Sequence, residues 1–280
     1  MRAGLVQLSV CDDPALNLPD TLALIREAAG GGAGFVLTPE CTNLLSSNRA
    51  WQSEVLRTEP DDPTLAALRG QAAALNFWLS IGSLGVKTTD ADGRYANRSF
   101  LIAPDGSIAA RYDKIHMFDV DVTPTERFRE SSAYRPGAQA VLAKTPFATL
   151  GLSVCYDVRF ALLYRRLAQA GAEVLTVPAA FNHITGAAHW QVLLRARAIE
   201  TGCYVLAPAQ CGTHSATNAV AGTPPRRTHG HSLVISPWGE VLADGGTAPG
   251  VTYAEITLAE VARARALIPS LCHDRPFAGP

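Results

Sequence analysis

The chain has 280 residues, 48% of them hydrophobic, and its 24 basic and 25 acidic side chains leave a formal net charge of −1. That is enough apolar material for a closed core, which excludes a disordered chain. With no basic excess and no block of like charges, neither a nucleic-acid nor a membrane partner is indicated, and a small molecule is the expected one.

The N-terminal MRAGLVQLSV enters strand-like alternation directly, without the cationic start and small-residue cleavage site of a signal peptide. No apolar run reaches the roughly 18 residues that cross a bilayer. There follow a helix over about 16–29, the strand FVLTPE, a helix over about 63–75 and the strand FWLSIGSLG. Residues 97–113 read as a hairpin turning at Pro104-Asp105-Gly106, and residues 115–140 as a polar, irregular stretch. Strand FATLGLSVC, helix RFALLYRRLAQAGA, strand EVLTVPAAF, helix AHWQVLLRARAIETG and strand CYVLAPAQCG then alternate. A second hairpin pivots on Pro237-Trp238-Gly239, and strand GVTYAEI leads to a helix over about 258–267. No linker or sequence repeat divides the chain, so a single α/β domain over 1–280, with two helix-covered sheets, is expected.

Six cysteines (Cys11, Cys41, Cys155, Cys203, Cys211, Cys272) are scattered without a CxxC pair. This argues against a disulfide scaffold or zinc ribbon and for a cytoplasmic chain with reduced thiols. The glycine-rich AGGGAGF at 29–35 follows a helix and opens a strand, the reverse of a dinucleotide fingerprint, and reads as a helix cap. GLSVC approaches a serine-nucleophile elbow, but Cys155 holds its last position and Ser153 lies mid-strand. His229 and His231 alternate along a strand, and His183 and His189 flank a helix start, with no ligand-spaced acid or thiol beside either pair.

Glu40, Lys114 and Cys155 share a context: each stands just past the C-terminal end of an expected strand, the edge where α/β sheets bind ligands. Helix N-terminal amides and a nearby Lys114 ammonium would lower the Cys155 pKa, and Glu40 would serve as general base and then acid. The residues alone leave open the other reading, of surface charges and a buried thiol.

Together with PEC around Glu40, YDKIHMFDVDV around Lys114 and GLSVCYDVRF around Cys155, the ordered series ESSAYRPG, GAEVLTVPAAF, GHSLVISPWGEVLAD and IPSLCHDRPF resembles the nitrilase, or carbon–nitrogen hydrolase, superfamily over nearly the whole chain. The resemblance implies a four-layer α-β-β-α sandwich, a homodimer or higher homo-oligomer joined through helices, and no metal or organic cofactor. It also implies a Glu40-Lys114-Cys155 triad, with Glu130 as a second glutamate that positions substrate and lysine. Tyr156, through its backbone N–H, is the expected oxyanion donor. The implied reaction is hydrolysis of a small amide by way of a thioester.

Within the superfamily the chain is most similar to the amidases acting on deaminated glutathione, with omega-amidases as the neighbouring branch. Nitrile hydrolysis, N-carbamoyl cleavage and a silent dimeric scaffold are the alternatives. Arg159 is a candidate fork for a substrate carboxylate, or else the partner of Asp157 or Glu173. Arg195 and Arg197 read as ion-pairing helix residues with Glu200. Ala179 in PAAF and Gln191 in AHWQ depart from the branch pattern of PSAF and AHWE, which leaves substrate choice open.

Overall fold

The computed structural model describes residues 1–124 and 126–279. Thr125, in the stretch read as irregular, and Pro280, the end of the expected domain, lie outside the described residues.

Two six-membered strand paths form the centre. The first runs Gly250–Glu255, Arg2–Gln7, Phe35–Leu37, Trp78–Val86, Tyr95–Ile102, Ile108–Asp113, with Tyr134–Arg135 paired beside Tyr95–Ile102. The second runs Val141–Lys144, Thr149–Leu152, Val174–Thr176, Tyr204–Ala207, Leu233–Ile235, Val241–Asp244. In these orders both paths show the same pairings: antiparallel, two parallel, then two antiparallel. The two halves thus repeat an architecture that no sequence repeat announces.

Six α-helices among the described residues accompany them: α1 (Pro14–Gly30), α2 (Arg49–Val55), α3 (Pro63–Leu75), α4 (Ala161–Gln169), α5 (His183–Thr201) and α6 (Ala259–Leu267). Local chemistry sets their ends. Asp13 and Asp62 cap α1 and α3 ahead of Pro14 and Pro63, proline being suited to the first helical position. Gly31 closes α1 with its N–H on Glu27, so the glycine-rich stretch is the expected cap. The structure starts α5 five residues ahead of the expected 188, because the Asn182 side chain accepts from Ile184 and Thr185 N–H.

Side-chain alternation sorts the core into layers. On the first sheet Val36, Phe100 and Ile102 pack with Ile25, Ala28, Leu65 and Leu68 of α1 and α3. Their neighbours Phe35, Leu37 and Leu101 point the other way, into a cluster with Leu150, Leu152, Val174 and Leu175 of the second sheet. Leu163, Leu167, Trp190 and Leu194 of α4 and α5 join that cluster. Strands buried on both faces read as nearly continuous apolar runs, and the layering is the α-β-β-α sandwich. No described helix is long and apolar enough to cross a membrane.

Candidate active site

Four of the sequence candidates meet at the seam between the sheets. Glu40 follows the strand Phe35–Leu37, Lys114 follows Ile108–Asp113, and Cys155 lies three residues past Thr149–Leu152. Glu130 opens a short 3-10 turn, Glu130–Ser132, inside the stretch read as irregular. Glu40, Lys114 and Cys155 are 3%, 2% and 6% exposed, so their charges face one another instead of water.

Lys114 Nζ donates to Glu40 Oε1 at 2.9 Å and to Glu130 Oε2 at 2.7 Å. Asn97 Nδ2 bridges the same two acids, donating to Glu40 Oε1 at 2.9 Å and to Glu130 Oε1 at 3.1 Å. Ala180 N–H donates to Glu40 Oε2 at 2.8 Å, and the Cys155 thiol stands close enough to the Glu40 carboxylate for each to shift the other's pKa. Burial raises the Glu40 pKa, but the Lys114 charge and these hydrogen bonds outweigh it and hold the carboxyl below its usual range. Burial opposes the Lys114 charge too, yet Glu130 and Glu40 raise its pKa well above the lysine norm.

The thiol behaves otherwise than expected. Burial, and then the Glu40 charge, push Cys155 well above the ordinary thiol range, although Lys114 pulls it down. A thiolate would be a third anion beside two carboxylates and a single ammonium. The resting cysteine is therefore a thiol beside Glu40, not a preformed thiolate.

Cys155 occupies an elbow. Its φ of 49° is left-handed, unusual for a side chain other than glycine, and it joins the extended Val154 to the 3-10 turn Cys155–Arg159. The Cys155 N–H is held by Pro178 O at 2.9 Å. The next N–H, of Tyr156, donates to no protein acceptor among the described residues and stands in the first turn beside the thiol. Ser153 is spent on Tyr164 and Thr176, so the strand serine is structural.

Asp157 fixes the elbow, a positioning role that the sequence does not signal. Fully buried, it accepts from Tyr112 Oη (2.7 Å), Val154 N (2.9 Å), His116 N (3.0 Å) and contacts His116 Nδ1 (2.7 Å). It thereby ties the cysteine turn to the strand that carries Lys114. Gly82 supports the seam from below: a Cβ there would stand 2.1 Å from Thr38 O and 2.5 Å from Pro39 O and the Pro178 side chain. Asn97 carried one signal, an amide in an otherwise strand-forming run.

Arg159 borders the site, and neither acid considered for it is its partner. Asp157 is engaged as above, and Glu173 accepts from Thr149 N–H at 2.9 Å. Its guanidinium lies over the Tyr156 and Phe181 rings, 5.7 and 5.3 Å from their centroids, with Nη1 3.3 Å from His189 Nδ1. Arg197 pairs with Glu200 at 2.8 Å, whereas Arg195 donates to Gly239 O. The histidine pairs differ from expectation: His183 opens α5 and His189 lies within it instead of the two flanking its start, and the strand ends at His229, leaving His231 with a left-handed φ of 56° and paired with Asp244. Among the described residues no group of three or more His, Cys, Asp or Glu side chains is arranged to hold a metal ion.

A buried Glu-Lys-Cys cluster at the seam of an α-β-β-α sandwich defines a class, and the whole chain bears it out: residues 2–266 match the carbon-nitrogen hydrolase family, and the chain belongs to it. It is a carbon–nitrogen hydrolase of the amidase kind. Among its relatives are the deaminated glutathione amidase of Yersinia enterocolitica, 37% identical with 98% of this chain and 93% of that protein covered, and the omega-amidase of Bos taurus, 36% identical with 98% and 95% covered. The crystal structure of the C. elegans NitFhit protein superposes with a TM-score of 0.89 at 34% identity, covering 98% of this chain and 65% of that one.

Proposed function

We propose that the chain hydrolyses a small carboxylate-bearing amide, deaminated glutathione foremost, through a thioester on Cys155. The observation that carries this is the buried cluster in which Lys114 bridges Glu40 and Glu130 beside the Cys155 elbow. As Cys155 Sγ attacks the amide carbon, its proton passes to Glu40. Lys114 and the free Tyr156 N–H hold the oxyanion, donors fixed in place before charge develops. Glu40 returns the proton to the departing nitrogen as the C–N bond breaks. It then takes a proton from water, which attacks the thioester. The carboxylate product leaves, and the sulfur regains its proton from Glu40. Glu130 keeps Lys114 in place and charged throughout.

Arg159 supplies the fork for a carboxylate on the acyl group, a role supported by its lack of an acidic partner among the described residues. Arg159→Lys should raise KM for carboxylate-bearing amides far more than for neutral ones. Similarity to the bovine enzyme favours a second reading, an omega-amidase acting on α-ketoglutaramate or succinamate.

The deciding experiment compares kcat/KM of wild type and Cys155→Ala on deaminated glutathione, α-ketoglutaramate, a simple nitrile and an N-carbamoyl amino acid. Equal background release by both proteins would overturn the amidase mechanism and favour a silent scaffold. A dominant nitrile rate would overturn the substrate alone.

We read residues 1–280 as one hydrolase domain acting in the cytoplasm, supported by the near-complete family match and by six unpaired cysteines. We also infer a homodimer through α4 and α5, which expose Leu162, Val192 and Ile199 at 68%, 67% and 54%. A monomer by light scattering would refute it.

A further inference from the structure

Arg226 stands at the site with no acid to hold among the described residues. It follows the loop that leaves the strand Cys211–Thr213 and immediately precedes the paired strand Arg227–His229. Its Nη2 donates to Ala180 O at 3.1 Å, and the same residue's N–H is the one on Glu40 Oε2. The guanidinium carbon lies 4.9 Å from the Phe128 ring centroid. Its Nε is buried without an acceptor among the described residues. Glu126, two residues before Phe128, is engaged by Asn182 Nδ2 at 2.9 Å. An orphaned, buried Nε on a half-buried guanidinium is uncommon and marks a place where an acceptor is missing.

A wall of rings leads from there to Arg159. Phe128 and Phe118 are 5.1 Å apart, Phe118 and Tyr156 also 5.1 Å, and Arg159 covers Tyr156. The wall passes the reacting groups, since Phe118 N–H donates to Glu130 Oε2 and Tyr156 directly follows Cys155. An arginine without an acidic partner among the described residues therefore stands at each end, with the nucleophile between them.

We propose that these two arginines read two carboxylates, one on each side of the scissile amide, with Arg226 holding the acid of the leaving amine. Glu40 decides the sides. It protonates the departing nitrogen, and Ala180 joins Glu40 to Arg226, whereas Arg159 lies past the nucleophile on the turn that binds the acyl group. The assignment rests on the amidase reading above and narrows its substrate class. The amine portion must itself carry an acid, as the terminal glycine of deaminated glutathione does. α-Ketoglutaramate releases ammonia and offers Arg226 nothing to hold.

The test measures kcat and KM of wild type, Arg226→Gln and Arg226→Lys on deaminated glutathione, its C-terminal carboxamide and α-ketoglutaramate. Replacing the carboxylate by carboxamide should cost the wild type roughly 10- to 100-fold in kcat/KM, carried by KM, as expected for a lost charged hydrogen-bonded fork. Arg226→Gln should lose about as much on deaminated glutathione and should no longer distinguish the acid from the carboxamide. Arg226→Lys should fall between.

Equal losses by Arg226→Gln on all three substrates would assign Arg226 to holding Ala180 and Glu40 in place and overturn the proposal. So would a wild type indifferent to the carboxamide, a comparison that needs no variant to fold. A wild type that hydrolyses none of the three overturns the amidase reading and this assignment with it; a wild type active on α-ketoglutaramate but indifferent to the glycine carboxylate overturns the assignment alone.

Discussion

Asp157→Asn removes one charge and turns one acceptor into a donor, and the hydrogen bonds around it set the cost. Oδ2 receives Tyr112 Oη and Val154 N; Oδ1 receives His116 N and meets His116 Nδ1. Whichever way the amide turns, its NH₂ faces a backbone N–H, of Val154 or of His116, and orphans it at a cost of about 1–3 kcal/mol. The remaining bonds lose their charge assistance, roughly 1 kcal/mol each. The sum is about 3–5 kcal/mol, which at a urea slope near 2–3 kcal/mol/M lowers the unfolding midpoint by about 1–2 M. Because Val154 precedes the nucleophile, a displacement approaching 1 Å should also reduce kcat/KM on the order of 100-fold. Tyr112→Phe, which deletes a single donor to the carboxylate, should cost less, about 1.5–3 kcal/mol. An Asp157→Asn midpoint within about 0.3 M of wild type, equivalent to less than about 1 kcal/mol, would refute Asp157 as the tie between the cysteine elbow and the Lys114 strand.

Gly82→Ala should destabilise by more than about 3 kcal/mol, since its Cβ meets backbone oxygens at 2.1 and 2.5 Å; a midpoint like wild type in urea would show that the seam is not close-packed there. His214 lies buried between Val10 O and Thr228 Oγ1, and burial depresses its pKa to about 4 from 6.5. The unfolded chain therefore binds the proton first: stability is full above pH 6.5 and falls by about 3 kcal/mol as pH drops to 4, levelling off below. His214→Asn should flatten that part of the urea-midpoint profile, and an unchanged slope would refute it. For kcat/KM, a Glu40 held below 4.5 and a Cys155 pushed above 9.0 predict a broad plateau between an acid and an alkaline limb; a narrow bell centred near neutrality would contradict both directions.

The parts of this site that could be read in the sequence are those with a local signature. Glu40, Lys114 and Cys155 each end a strand, and each carries its own run of motif residues. Asp157 and Asn97 could not be read that way, since their partners lie 45 and 57 residues distant and only the folded sheets bring them together. Arg226 was hidden for a related reason: its meaning lies in an absent partner. Helix α2 went unseen because it is seven residues long with only Gln52 buried, too short for a 3.6-residue period to register. The edge strand Val141–Lys144, half-exposed and ending in a charge, likewise looked like loop.

The protonation state of Cys155 shows where sequence reasoning stops for a different cause. Reading Lys114 as a thiolate-former considered one charge at a time, yet the site holds Glu40 and Glu130 against that single ammonium. These charges come from different layers: Glu40 and Lys114 from the first sheet, Cys155 from the second. The packing of Phe35 and Leu37 on Leu150 and Leu152 therefore sets how near the thiol stands to its base. A neutral thiol facing a buried carboxylate moves its proton only when an electrophile takes up the sulfur's electrons, so the same closeness that makes attack possible also keeps the free cysteine quiet toward other reactants.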